Sequence, residues 1–159
     1  MIVFAFLALL LGRAANAPDP FAALRLYAGP WRVTMHDPAG KDTTDALVND
    51  CHLFGQYFAC QQTVNGKVGA LVVYVPGETP GHFYIQNVLP DDRAVGRGEL
   101  TVDGSRYTYA NHNDDSTQWW RTTNEFIGTD RIHFEQATST DGKTWTVTRS
   151  GDEVRGTKP

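Results

Sequence analysis

The amino-acid sequence predicts an all-β protein, an antiparallel up-and-down β-barrel of about 8–10 strands that follows a short N-terminal helix. Residues that favour strands, above all Thr, Tyr, Val and Trp, recur in short runs separated by turns rich in Gly, Asp and Pro. From Trp31 onward, apolar and polar residues alternate with the period of two that a strand requires. Because a sheet of this many strands would expose two edges, closure into a barrel is the simplest arrangement.

Residues 1–17 are predicted to form a signal peptide. The apolar run Ile2–Leu11 has the length of a signal-peptide core and is too short to span a bilayer comfortably. Residues 15–17 (Ala-Asn-Ala) match the small-x-small cleavage pattern. A retained membrane anchor is the alternative, because no Lys or Arg precedes the run. The prediction is a periplasmic or secreted protein, with no stable membrane insertion after cleavage.

The remaining chain, residues 18–159, has the size of one domain with one core. The whole sequence carries a formal net charge of −4. An acidic chain without a concentrated basic patch binds nucleic acid poorly, so nucleic acid is excluded as a predicted partner.

A short helix is predicted over residues 19–28. Asp19 can cap its first turn, and Gly29 followed by Pro30 ends it. Its apolar residues recur at helical spacing: Phe21, Leu24 and Tyr27. This stripe indicates a helix packed on a larger body.

The two cysteines belong to one predicted β-hairpin. Gly55-Gln56 suits a two-residue type II′ turn, because the first position of that turn needs a positive φ. Counting outward pairs Leu53 with Phe58 and Cys51 with Cys60. The cysteines then occupy a non-hydrogen-bonded pair, where the short Cβ separation favours a disulfide on the core side. Two reduced buried cysteines are the alternative, and export favours the disulfide.

The other strands follow from alternation and from turn residues. They are predicted over residues 31–36, 67–75, 82–89, 94–102, 106–110, 117–126, 131–138 and 144–149.

Gly29 and Trp31 form a Gly-x-Trp motif after the predicted helix, which resembles the lipocalin or calycin pattern. The resemblance implies that the tryptophan closes one barrel end and that a basic residue from a late strand packs across it. Arg149 is the candidate, because it shares the apolar face of the last predicted strand with Trp145 and Val147. Alternatively, Arg149 reaches solvent at the strand end.

The run from residues 82–87 to residues 139–145 is also similar to small secreted bacterial proteins of an uncharacterised lipocalin-like family. That resemblance implies a single lipocalin-like β-barrel domain over residues 18–159 and an exported location. It implies no catalytic residues.

Several polar residues fall on strand faces that are otherwise apolar. Because buried amides are costly unless they are hydrogen-bonded, this pattern predicts a cavity with polar contacts. The alternative is that these amides form hydrogen bonds with one another or lie near the barrel rims. The predicted ligand-binding residues are Asn49, Gln62, Asn87, Gln118, Trp120, Asn124, Gln136 and Arg149.

No metal site, cofactor or catalytic residue is predicted. The five histidines are scattered without zinc-binding spacing. Residues 111–116 are rich in oxygen atoms but lack the glycine and glutamate of a calcium loop, so they are interpreted as a polar turn.

The preferred functional hypothesis is an exported protein that binds a small hydrophobic or amphipathic molecule inside the barrel. One alternative is an enzyme of isomerase or cyclase type that uses Arg97, Glu99 or Arg149 as charged interior groups. The other is a protein-interaction module.

Overall fold

The computed structural model describes residues 19–37, 39–90, 96–112 and 117–157, so the predicted signal peptide and residues 113–116 of the predicted polar turn lie outside it. Its ten antiparallel strands form a closed barrel in chain order, with β10 pairing back onto β1. This confirms the predicted up-and-down barrel. The strands are β1 Gly29–His36, β2 Thr43–Phe54, β3 Tyr57–Val64, β4 Lys67–Pro76, β5 His82–Val88, β6 Gly96–Asp103, β7 Arg106–His112, β8 Trp119–Ile127, β9 Arg131–Ser139 and β10 Thr146–Arg155.

The predicted N-terminal helix is replaced by a turn and a four-residue 3₁₀ helix, Leu24–Tyr27. Asp19 does not cap this helix, whose N-cap is Ala23; its Oδ1 instead accepts a hydrogen bond of 3.0 Å from the backbone N–H of Phe21 in the preceding turn. A segment this short would form only a few i→i−4 hydrogen bonds, too few to offset the cost of nucleating an α-helix. It therefore adopts the tighter 3₁₀ conformation with i→i−3 hydrogen bonds. No helix in the described ranges is long and apolar enough to cross a membrane.

The apolar side chains of this segment fill one end of the barrel. Phe21 is 3% exposed and Leu24 is fully buried. The ring of Phe21 stacks on Phe58 and Phe83 at centroid distances of 5.7 and 6.0 Å. Burial of such aromatic rings contributes strongly to stability, so this end is a packed base.

Trp31 closes the same end. It is 2% exposed, and its Nε1–H donates to the Tyr27 carbonyl at 2.8 Å. The guanidinium of Arg155 lies over its ring at 4.2 Å. The prediction that Arg149 packs across Trp31 is therefore wrong: Arg155 occupies that position, and Arg149 is exposed.

The physical reason lies in β10, which continues to Arg155 instead of ending at Arg149. The pairing with β9 also shifts between Val147 and Arg149, as in a β-bulge. Val147 and Arg149 consequently face opposite sides of the sheet. Trp145 precedes the strand, and the guanidinium of Arg121 lies over its ring, 4.4 Å from the ring centroid.

The predicted hairpin is confirmed residue by residue. β2 and β3 pair Leu53 with Phe58 and Cys51 with Cys60, and Gly55 has a φ of +60°. The two cysteines form a disulfide. Cys60 is 2% exposed within the core and Cys51 packs against that core, so the bridge lies on the core side as predicted.

Replacing both cysteines, as Cys51→Ser/Cys60→Ser, is expected to lower the free energy of unfolding by about 2–3 kcal/mol. A cross-link closing a loop of this short length removes that much chain entropy from the unfolded state. Urea denaturation of the oxidised protein and the double variant measures the difference. Equal midpoints and slopes for the two proteins would contradict the prediction.

An outward-facing cluster joins β1 to β10 where the barrel closes. Asp152 accepts hydrogen bonds from both His36 Nε2 at 3.0 Å and His133 Nδ1 at 3.1 Å when those nitrogens are protonated. His36 Nδ1 lies 2.9 Å from Asp42 Oδ2. These two carboxylates raise the pKa of His36 above its usual 6.5, Asp152 being the larger cause.

The cluster makes the contribution of His36 to stability depend on pH. Its folded-state pKa lies above the unfolded value, so the stabilisation is complete below about pH 6.5 and is lost as the pH rises through the folded-state pKa. We expect His36→Gln to be more destabilising at pH 5.5 than at pH 8.5 in urea denaturation. In an Asp152→Asn background the pH dependence of this destabilisation should shrink. If it stays unchanged, the pH dependence does not come from the contact between His36 and Asp152.

Candidate functional site

Above the packed base, the barrel interior contains a cavity of about 470 Å³. An adjoining space of about 270 Å³ shares part of its lining, including Leu47, Gln62 and Glu153. The larger volume lies within the range of roughly 300–1,000 Å³ typical of small-molecule sites. The apolar wall of the larger space consists mainly of Leu47, Val72, Ile85 and Leu100.

Tyr27 forms the floor between the packed base and the cavity. Its ring meets Tyr107 and Phe126 edge-on at centroid distances of 5.6 and 5.2 Å, and it also lines the cavity. Burial raises the pKa of Tyr27 well above its ordinary value. The phenol is therefore neutral at physiological pH.

Most of the amides predicted to face the interior line this cavity: Asn49, Gln62, Asn87, Asn124 and Gln136. The other three predicted residues do not. Trp120 is 46% exposed, Arg149 is exposed, and Gln118 precedes β8. These three belong to the end of the barrel away from the packed base, where strand alternation no longer decides burial. Ligand contact by the five lining amides stays a prediction.

Three of these amides form a network with Tyr27. Gln62 Nε2 donates to Asn49 Oδ1 at 3.2 Å, and Asn49 Nδ2 donates to the Tyr27 carbonyl at 3.1 Å. Asn124 Nδ2 donates to the Tyr27 hydroxyl at 2.7 Å. Hydrogen bonds among the amides and with Tyr27 therefore account for part of the polar interior, in line with the alternative that these amides bond to one another.

On the other wall, Asn87 Nδ2 donates to the Tyr109 hydroxyl at 3.4 Å. Burial, the largest cause, raises the pKa of Tyr109, and the hydrogen bond from Asn87 opposes part of this shift. Burial also raises the pKa of Tyr74, which lines the same cavity. Both phenols are neutral hydrogen-bonding groups at pH 7.

Glu153 is the charged residue that sequence analysis missed. It lies on β10 between Val33 of β1 and Ile132 of β9, and it lines both interior spaces. Within the described ranges no side chain or backbone group forms a hydrogen bond or ion pair with its carboxylate. Burial raises its pKa to about 7.

Glu153 escaped prediction because it lies beyond residue 149, where the last strand was expected to end. The signal that could have located it is the period of two that places Gly151, Glu153 and Arg155 on one face of a longer last strand. That alternation continues the inward face once the bulge after Val147 is taken into account.

Gln136 resembles Glu153 in lacking a partner for its side chain among the described residues. It pairs across strands with Thr122, which also lines both spaces. The cavity wall thus combines an apolar surface with polar atoms that remain available for new hydrogen bonds.

The charged interior groups that the enzyme alternative named are misplaced. Arg97 is exposed and donates to Gln86 Oε1 at 3.2 Å on the outer face. Glu99 is exposed and lies 3.2 Å from His82. Arg149 is exposed as well. Both Arg97 and Glu99 fall on the outward parity of β6, whereas Gly96 and Leu100 face the cavity.

Comparison with known proteins rests on the fold. No family model matches the chain. No curated protein matches it in sequence.

Two solved structures are similar. An S-type phycobiliprotein lyase, CPES, from Guillardia theta aligns with a TM-score of 0.55 and 12% identity, over 86% of this chain and 92% of that one. Rv2717c from M. tuberculosis aligns with a TM-score of 0.52 and 13% identity, over 89% of this chain and 99% of that one. Together with the closed antiparallel strand order, these likenesses show that the chain has the lipocalin-like, calycin-type β-barrel fold.

Proposed function

We propose that this protein binds a small, partly apolar molecule inside the barrel. The observation that carries the proposal is the cavity of about 470 Å³ whose wall includes the polar side chains of Gln136 and Glu153, which have no hydrogen-bond or ion-pair partner among the described residues. A largely desolvated carboxyl group without a partner lowers stability when it is ionised, and destabilised ionisable groups of this kind cluster at functional sites.

The cavity wall is suited to such a molecule. At about 30 Å³ per water molecule the larger space has room for roughly 15 waters, and so for a ligand of a comparable number of heavy atoms. Leu47, Val72 and Ile85 would contact its apolar body. The amide of Gln136 and the carboxyl group of Glu153 would orient its polar end.

A substitution that fills the cavity tests the proposal. Ala70 lines the larger space, whereas Ala46 is exposed on β2. We expect native mass spectrometry of the gently purified protein to release a small molecule, and Ala70→Phe to abolish that signal. Ala46→Phe should retain it, and circular dichroism should show both variants folded.

The binding proposal fails in a clearly defined case. That case is a protein purified without any bound molecule whose melting temperature is raised by none of a panel of lipid-like and aromatic compounds.

We infer that the chain is exported. The Cys51–Cys60 disulfide supports this, because structural disulfides persist mainly in oxidising compartments. Residues 1–17 supply the predicted signal peptide. Amino-terminal sequencing of the protein from a periplasmic or culture fraction is expected to begin near residue 18. An intact Met1 together with reduced cysteines would contradict export.

Glu153 also favours a second candidate function, an enzyme of isomerase or cyclase type. A carboxyl group with a pKa of about 7 inside a cavity is suited to general acid and base catalysis. The two functions differ in what becomes of the bound molecule. If the released molecule keeps its chromatographic retention and fragmentation pattern after prolonged incubation with the protein, a binding protein is supported. If the parent protein forms a new isomer of it and Glu153→Gln does not, an enzyme is supported.

A further inference from the structure

We propose that the cavity selects a ligand with a protonated amine on an apolar body, and that the carboxylate of Glu153 pairs with this amine. The proposal rests on the binding function proposed above. It adds the chemical class of the ligand.

The first argument is the charge of the cavity wall. The titratable side chains that line the two spaces are acidic or phenolic, and within the described ranges no Lys, Arg or His side chain lines either space. They are Tyr27, Asp45, Tyr74, Tyr109 and Glu153. Among the described lining residues an anionic ligand would meet no cation to neutralise it, whereas a cation meets complementary charge at low local dielectric.

The second argument is the availability of acceptors. An ammonium group has three N–H donors and no acceptor, so it requires oxygen atoms that are not already paired. The carboxylate of Glu153 lacks a partner in the described part of the chain, as do the side-chain oxygens of Gln136 and Thr122. All three residues line both interior spaces.

Asp45 is a weaker anchor than Glu153. Its Oδ1 already accepts a hydrogen bond of 2.6 Å from Asn65 Nδ2. Asp45 also lines only the smaller space, whereas Glu153 lines both. The amine is therefore assigned to Glu153.

The third argument is the apolar surface beside the carboxylate. Val33 pairs directly with Glu153 across β1 and β10, and Met35 and Leu47 line the same smaller space. The phenol ring of Tyr27 lies at the floor and can attract a cation through its face. An amphipathic amine would thus find its head and its body accommodated in adjoining parts of one cavity.

Three probes with the same apolar chain separate the ligand classes: decylamine, decanol and decanoate. Isothermal titration calorimetry at pH 8.5 is suitable, because an alkylamine with a pKa near that of lysine, about 10.4, is still protonated there. Glu153 is by then ionised. We expect decylamine to bind roughly 10- to 100-fold more tightly than decanol, the range that a hydrogen bond to a charged group supplies. Decanoate should bind most weakly.

Two variants assign the preference to one side chain. Glu153→Gln should reduce decylamine affinity to about that of decanol in the same variant, so that the preference for the amine is lost. Glu99→Gln makes the same chemical change on the exposed outer face and should leave the preference intact.

The outcomes distinguish the two proposals. Decanol or decanoate binding as tightly as decylamine overturns the amine selectivity and leaves the binding function standing. The same holds if Glu153→Gln retains the full preference for decylamine. Failure of all three probes to bind overturns the selectivity for an amphipathic amine, whereas the binding function fails only if the protein also carries no molecule on purification and no compound of the broader panel raises its melting temperature.

Discussion

Replacing Arg155 with methionine is expected to lower the free energy of unfolding by about 2–4 kcal/mol. The guanidinium donates to the carbonyls of Ala28 and Leu26 at 2.8 Å each and to that of Thr129 at 2.9 Å. It also lies over the ring of Trp31. Methionine keeps an apolar stem but removes the donor from all three carbonyls, and the loss matters most at the partly buried carbonyls of Ala28 and Leu26, because water replaces the donor less readily there than at the exposed Thr129.

Arg149→Met is the matched control for this prediction. Arg149 lies on the same strand and is exposed, so its replacement should change the free energy of unfolding by less than about 0.5 kcal/mol. Arg155→Lys should fall between the two, since lysine keeps the charge and lacks the planar fork that reaches several carbonyls. Urea denaturation at pH 7 measures all three. Equal losses for Arg149→Met and Arg155→Met would show that the contacts of Arg155 contribute nothing specific.

The hairpin of β2 and β3 was predictable because its determinants are local. Gly55 sets the turn, the turn sets the register, and the register places Cys51 opposite Cys60. The ten-strand barrel also follows from local alternation combined with the cost of leaving sheet edges open.

The basic residue on Trp31 was not predictable in the same way. A bulge after Val147 changes the parity of β10, and alternation read through the bulge assigns Arg149 to the face of Val147. The extended strand then delivers Arg155 to the packed base. Gly29 fits this arrangement, because its φ is +106° and a Cβ there would lie 3.3 Å from Arg155 Nη1.

The interior amides show what a single sequence can and cannot reveal about a site. Alternation placed Asn49, Gln62 and Asn124 in the cavity correctly. It could not tell which of them would satisfy one another, since that depends on Tyr27 reaching in from outside the sheet. Glu153, the charged residue of the cavity, was not predicted for the same reason as Arg155: the last strand was expected to end at Arg149.

Replacing Glu153 with glutamine is expected to stabilise the protein by up to about 3 kcal/mol, and to do so only at higher pH. Burial raises the folded-state pKa of Glu153 from 4.5 to about 7, so the folded protein holds this proton more tightly than the unfolded chain. The cost of ionising the buried carboxyl group is therefore absent below about pH 4.5, grows between the two values, and is complete above about pH 7. Glutamine has nearly the same shape and avoids the cost.

Urea denaturation at pH 4, 5.5, 7 and 8.5 tests this expectation. The free-energy difference between Glu153→Gln and the parent protein should be small at pH 4 and largest at pH 8.5. Glu99→Gln should change the free energy of unfolding by less than about 0.5 kcal/mol throughout, because Glu99 is exposed. A Glu153→Gln difference that stays constant with pH would mean that the carboxyl group is not destabilised by burial.

Stability and binding should then move in opposite directions at Glu153. At pH 8.5 the glutamine variant is expected to unfold at higher urea concentration and yet to bind decylamine more weakly than the parent protein. A residue kept only for packing would lose stability on replacement, and a residue with no role would change neither property. Gain of stability together with loss of amine binding is the combination that a ligand-anchoring carboxylate predicts, because the ligand supplies a positive charge beside Glu153, which has no cationic partner in the described part of the chain.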